Sequence, residues 1–230
     1  MRTLTVWLNQ TDKHLSCGRR MAGEDQETEQ RILDAAHAVF VRRGTEGARM
    51  QEIAEEAGVN KALLHYYFRS KDKLAEAVFL RAGRRLFPSV IATLLADLPL
   101  EEKVRRVVEI ELDNLSASPF LPGYVLCEIN HHPERVGQLA SAFAGQPVEG
   151  FGRGIAARLQ AQIDERVAAG AMRPIPAEQF MANLLSLCLF PFAAQPMLRA
   201  VMGWDADGFE RFIAERKRML PEFFLNALRP

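Results

Sequence analysis

The chain has 230 residues, 48% hydrophobic and 25% charged, with a formal net charge of zero. That length suffices for one or two cores, and the charge balance excludes a general polyanion binder, so any nucleic-acid contact must come from a local cluster. Cysteines at 17, 127 and 188, without C-x-x-C spacing, fit a reducing cytoplasm rather than a disulfide framework.

Residues 1–26 mix Thr, Asn, Gln, Gly and charge without a steady period, and lack the continuous apolar run of a secretory signal. They read as a disordered arm, with Arg19 and Arg20 leaving open a basic arm that reaches DNA. Residues 27–43 are the first expected helix, because Ile32, Ala36, Val39 and Phe40 recur at i, i+4, i+7 and i+8. Arg42 and Arg43 suit its C-terminal dipole, and Gly44 stops it. A loop over 45–49 leads to a short helix from Gln51 to Ala57, with Ile53, Ala54 and Ala57 as its apolar face. Gly58 stands where the helix end needs a left-handed residue, a conformation glycine adopts without a Cβ penalty. Val59 fills the corner, and Asn60 is the N-cap of a second short helix, Lys61 to Tyr67. This helix turns Leu64, Tyr67 and Phe68 inward and Lys61, Ala62, Leu63, His65 and Tyr66 outward. Two short helices about such a corner are a helix-turn-helix, with small Ala54 at the crossing. The preceding helix braces a pair too short to be stable alone.

The run IAEEAGVNKALLHYYFRSKDKL, preceded by ILDAAHAVFVRRG, resembles the DNA-binding head of TetR-family transcriptional repressors. The resemblance covers about residues 27–75 and lies in the Ile53-Ala54 pair, the Ala57-Gly58-Val59 turn, the Tyr66-Tyr67-Phe68 cluster, and Ser70-Lys71 ahead of a long helix. It implies that the second short helix enters the major groove, where base edges are distinguishable. It further implies DNA contacts by Asn60, Lys61, Ala62, Leu63, His65, Tyr66, Tyr67 and Lys71, with Arg49 beside them. Lys61 suits guanine or a phosphate, and Leu63 a thymine methyl. His65 and Tyr66 suit phosphates or bases, Tyr67 combines core packing with a phosphate contact, and Lys71 beside Ser70 suits a phosphate. Met50 replaces the family's usual threonine and Ala62-Leu63 its frequent Gly-Thr, so the operator preference is expected to differ.

From Asp72 a long helix is expected to reach Leu86, to kink or restart at Pro88, and to continue to Asp97. Helices follow at Glu101–Ser116, at Gly123–His131, and over 134–150 up to a break at Gly145-Gln146-Pro147. A longer one spans Val148 to Ala169 and stops at Gly170; its Gly150, Gly152 and Gly154 lack the strand and spacing of a nucleotide loop. Cys127 and His131, like Glu128 and His132, are spaced i, i+4, but no third ligand accompanies them, so no metal site is expected. No orienting acid or oxyanion signature makes Cys127 and His131 catalytic. After the linker Arg173–Pro176, the segment Ala177–Met202 is apolar around most of its circumference and bends at Pro191 and Pro196. Its apolar run at 184–194 is too short to span a bilayer. A last amphipathic helix follows Gly203.

The expected architecture is all-α: a disordered arm over 1–26, a three-helix helix-turn-helix head over 27–73, and a ligand-binding and dimerisation bundle over 74–230. Leu184, Leu187, Phe209, Phe212, Ile213, Leu220, Phe223 and Phe224 are the expected dimer residues, and a two-fold dimer reads a pseudo-palindrome on double-stranded DNA. A small hydrophobic effector is expected in an apolar pocket, with Phe87, Ile91, Tyr124, Glu128, Phe143, Phe151 and Phe192 as candidate lining. The reading is a cytoplasmic, homodimeric, ligand-released repressor without cofactor, catalytic residue or membrane contact. A helical enzyme using Cys127 and His131, and an adaptor whose head binds protein, stay open beside it.

Overall fold

A computed structural model describes the backbone of residues 4–119, 121–138 and 148–230, and side chains from residue 25 onward in those stretches except 148, 149 and 151. Among the described residues the regular elements are all helices. They fall into two compact units, Met1–Val78 and Phe79–Pro230. The division lies inside one helix, a few residues past the boundary expected from sequence.

The first unit begins with α1, Leu4–Gly47. Residues 4–26, expected to lack regular structure, are the leading turns of this helix. No proline interrupts them, and an α-helix satisfies its backbone bonds within the segment. Gly44 breaks the helix as expected, with φ 68° and ψ 163°, and one further turn follows it. α2 (Met50–Glu56) and α3 (Lys61–Tyr67) form the helix-turn-helix. The corner is a Schellman motif: Gly58 has φ +64°, its N–H donates to the Glu55 carbonyl, and the Val59 N–H to that of Ala54. Asn60 accepts from the Leu63 N–H at 2.7 Å and caps α3. Ile32, Ala36, Val39, Phe40, Ile53, Ala54 and Leu64 are buried together, and the larger apolar side chains among them contribute about 1.5–3 kcal/mol each. Arg42 and Arg43, expected to serve the α1 dipole, instead reach α2, pairing with Glu56 at 2.8 Å and Glu52 at 2.7 Å.

α4 (Lys71–Leu95) starts at Ser70, whose hydroxyl accepts from the Lys73 N–H, and passes Pro88 without interruption. Pro88 and Arg84 are not buried, so the carbonyl that the proline leaves unbonded has water within reach.

In the second unit α5 (Leu100–Ser116) is central, packing against α7 (Val148–Ala168), α8 (Ala177–Ala193) and α10 (Ala206–Ala227). α6 (Leu121–His131) lies on α8, and a helical stretch begins at 134–138. Val104, Val107, Val108, Leu112 and Leu115 form the buried stripe of α5. Side chains finish the helix ends: buried Lys103 donates to the Leu94 carbonyl at 2.7 Å, and Gln160 accepts from the Ala177 N–H at 2.8 Å. Burial raises the Glu111 carboxyl to about 7. Burial and neighbouring Glu111 raise the Cys188 thiol to about 12, which leaves it an inert, protonated core group.

The expected bent helix over 177–202 is two helices, α8 and α9 (Gln195–Met202), meeting at 67°. Pro191 has no N–H to bond the Leu187 carbonyl, and Pro196 sits in the first turn of α9, where its missing donor costs nothing. The vacated carbonyl is taken by Arg216 of α10, whose Nε and Nη2 donate to it at 3.1 and 2.7 Å. Arg216→Met keeps the aliphatic stem and removes both donors, so a loss of about 1.5–3 kcal/mol in urea unfolding is expected. Pro191→Ala should restore the helix's own donor and shrink that loss; equal losses in both backgrounds would refute the staple.

Candidate nucleic-acid interface

On α3 the 3.6-residue period divides the side chains. Leu64 is fully buried and Phe68 just beyond the helix nearly so, whereas Lys61, Ala62, His65 and Tyr66 are exposed and Leu63 half-buried. Arg49, in extended conformation, precedes α2 and is exposed. The outward face therefore offers an ammonium, an imidazole, a phenol and two small or aliphatic groups over two turns of helix. Lys61 and Arg69 form no ion pair among the described residues, while Lys73 is paired with Glu76 at 2.8 Å. This is the donor-rich, sparsely countercharged surface that a groove lined by phosphates selects.

Two of the residues expected to contact DNA also have partners within the chain. The Lys71 ammonium donates to the Glu46 carbonyl at 3.0 Å and, more weakly, to that of Ala48 at 3.5 Å, tying the start of α4 to the segment before α2. The Tyr67 hydroxyl donates to Asp25 at 2.8 Å, which raises its pKa. Sequence reasoning misses Asp25, since nothing in the local pattern links positions about forty residues apart.

Residues 32–78 match the pattern of bacterial regulatory proteins, tetR family. The HTH-type transcriptional regulator SrpR of Pseudomonas putida is 36% identical over 95 residues, 41% of this chain and 43% of SrpR. The HTH-type transcriptional regulator BetI of Rhizobium meliloti is 30% identical over 145 residues, 61% of this chain and 70% of BetI. The chain belongs to the TetR family. The solved TetR-family regulator PfmR from Thermus thermophilus has the same fold, with TM-score 0.60 at 20% identity over 85% of this chain and 97% of PfmR. The chain thus spans less than half of SrpR but more than two thirds of BetI.

TetR-family membership extends the question to the second unit. Of the expected effector residues, Tyr124, Glu128 and Phe192 are buried on α6 and α8, which pack together, and Phe87 and Ile91 are half-buried on α4. Phe143 and the side chain of Phe151 lie outside the described residues. Glu128 forms a buried ion pair with Arg135, the two side chains 4% and 5% exposed, so its charge is already committed. The His131 ring nitrogen Nδ1 lies 2.8 Å from the Cys127 carbonyl and 3.6 Å from its thiol, and His132 pairs with Glu134. Those histidines finish a helix end; among the described residues no group of three ligands assembles around them.

The expected dimer residues divide by face. Leu184, Phe209, Ile213, Leu220 and Phe224 are core of their own subunit, with Phe180 and Phe224 edge to face at 5.1 Å. These five carry the helical stripe, but the stripe faces inward. Leu187 and Phe212 are half-buried and Phe223 is exposed, as are Phe190 and Met219, which lie outside the expected set. Together they line two shallow clefts of about 440 and 360 Å³ along α8 and α10.

Proposed function

We propose that this TetR-family regulator is a homodimeric repressor that reads a pseudo-palindromic operator with α3 and leaves it when a small hydrophobic effector binds its helical body. What carries the reading is the outward face of α3, with Lys61, Ala62, His65 and Tyr66 exposed on a helix anchored by Leu64. The outward apolar face of α8 and α10 supports the dimer, because Phe190, Met219 and Phe223 are each more than half exposed and a second copy would cover them. α4 supports the switch in one respect: a single helix runs through both compact units. An effector shifts the equilibrium only by as much as its affinity differs between DNA-bound and free conformations. The protein acts in the cytoplasm without cofactor or catalysis. SrpR and BetI are regulators by name, and among the described residues no single helix is long and apolar enough to cross a membrane.

The test is binding to duplexes selected from a random-sequence pool, measured across a salt series. Lys61→Ala is expected to weaken binding and to lower the slope of log K against log salt by about 1 per subunit. Lys71→Ala is expected to weaken binding, because that ammonium ties the start of α4 to the Glu46 and Ala48 carbonyls ahead of α2. An unchanged slope in Lys61→Ala with full affinity would remove α3 from the interface.

A further inference from the structure

α1 holds the end of α3 through one phenol. The contact comes from Asp25 of α1: the Tyr67 hydroxyl donates to Asp25 Oδ1 at 2.8 Å. With its one proton given to a carboxylate, this phenol has little left to offer a phosphate. Its ring does something else. Tyr67 meets Tyr66 edge to face, the centroids 5.4 Å apart and the planes at 87°. Tyr66 is 77% exposed, and its own hydroxyl makes no hydrogen bond among the described residues. A side chain so exposed would otherwise sample several rotamers, and fixing it on binding costs entropy.

We propose that Asp25 is a positioning residue for DNA binding: it fixes Tyr67, which is not itself a DNA contact, and Tyr67 holds Tyr66 ready to donate to a backbone phosphate. The inference rests on α3 being the reading helix. It assigns different tasks to neighbouring tyrosines that composition cannot separate, and gives Asp25 of α1 a part in recognition.

Removing the Asp25 carboxylate also removes a negative charge near DNA, which by itself tightens binding. The comparison is therefore Asp25→Asn against Asp25→Ala: both lack the charge, and only asparagine can still accept from Tyr67. We expect Asp25→Asn to bind the selected duplex about 3- to 10-fold more tightly than Asp25→Ala, the worth of one hydrogen bond. Tyr67→Phe keeps the ring and should abolish that difference. The second readout is a set of duplexes with single methylphosphonates, each neutralising one phosphate. One position is expected to weaken binding of the native protein, to have no effect on Tyr66→Phe, and to lose most of its effect in Tyr67→Phe. Far-ultraviolet melting confirms that each variant is folded, and the exposed Asp25 pair remains decisive if Tyr67→Phe is not.

Equal affinity of Asp25→Asn and Asp25→Ala overturns the clamp. A methylphosphonate position sensitive to Tyr67→Phe and indifferent to Tyr66→Phe overturns it too, by making Tyr67 a direct contact. If Lys61→Ala still lowers the salt slope in those cases, the reading helix survives and only the clamp has failed. Absence of selective, salt-dependent binding by the native protein overturns both.

Discussion

Glu128→Ala is expected to destabilise the second unit by about 3–5 kcal/mol, a large part of the stability of a domain this size. The cause is what it leaves behind. Arg135 and Glu128 are 4% and 3% exposed, so deleting the carboxylate leaves a buried guanidinium without the one carboxylate it pairs with among the described residues. Arg135→Met should cost less than Glu128→Ala, because a carboxylate left alone can take up a proton while a guanidinium cannot lose one. The double variant Glu128→Leu/Arg135→Met is expected to recover most of the loss, since two apolar groups replace two paired charges. Urea unfolding of the three variants checks the order. If the double variant is as unstable as the worse single one, the pair is not a closed unit. Effector binding by the double variant would then be the informative companion: retention means that the charge in this part of the helical body serves the fold, and loss would make Glu128 the ligand contact expected from sequence.

The helix-turn-helix is legible in the sequence because its information is local. Gly58 and Asn60 act on backbone groups within four residues of themselves, so their identities state what they do. The end of α7 is legible for the same reason, through Gly170 at φ +65°. What escapes is long-range pairing of polar groups. Nothing at Tyr67 announces Asp25, nothing at Lys71 announces two carbonyls before α2, and Arg216 reads as a surface cation until Pro191 is seen to orphan Leu187. Faces of apolar helices are only half legible. A stripe of Phe and Leu on α10 reveals that the helix is amphipathic, but when both faces carry phenylalanine, period alone does not say which of them meets the subunit's own core. Phe209 and Phe224, expected at the interface, are core; Phe223, one residue from Phe224, points out.

That division of faces gives the second large effect. Phe190→Glu together with Phe223→Glu is expected to leave a folded monomer, with the dimer dissociation constant raised at least about 100-fold. Phe190 is 56% and Phe223 63% exposed in the isolated chain, so glutamate there meets water and the fold loses little. In a dimer built on this face the same carboxylates are driven out of water and toward their two-fold mates, and burial without a partner charge is among the costliest changes an interface can take. Phe209→Glu is the matched control. At 4% exposure its carboxylate enters the subunit's own core, beside Phe192 at 5.7 Å between ring centroids, and unfolding rather than dissociation is the expected result. Sedimentation velocity and thermal melts separate the two outcomes. The consequence for DNA follows from geometry: a monomer engages one half-site at a time, so the double variant should lose the steep operator affinity yet keep the salt slope of one head. A double variant that sediments as a dimer would move the subunit contact to another face. A monomer that still binds the full operator with native affinity would instead sever dimerisation from recognition, and the pseudo-palindrome would no longer be required.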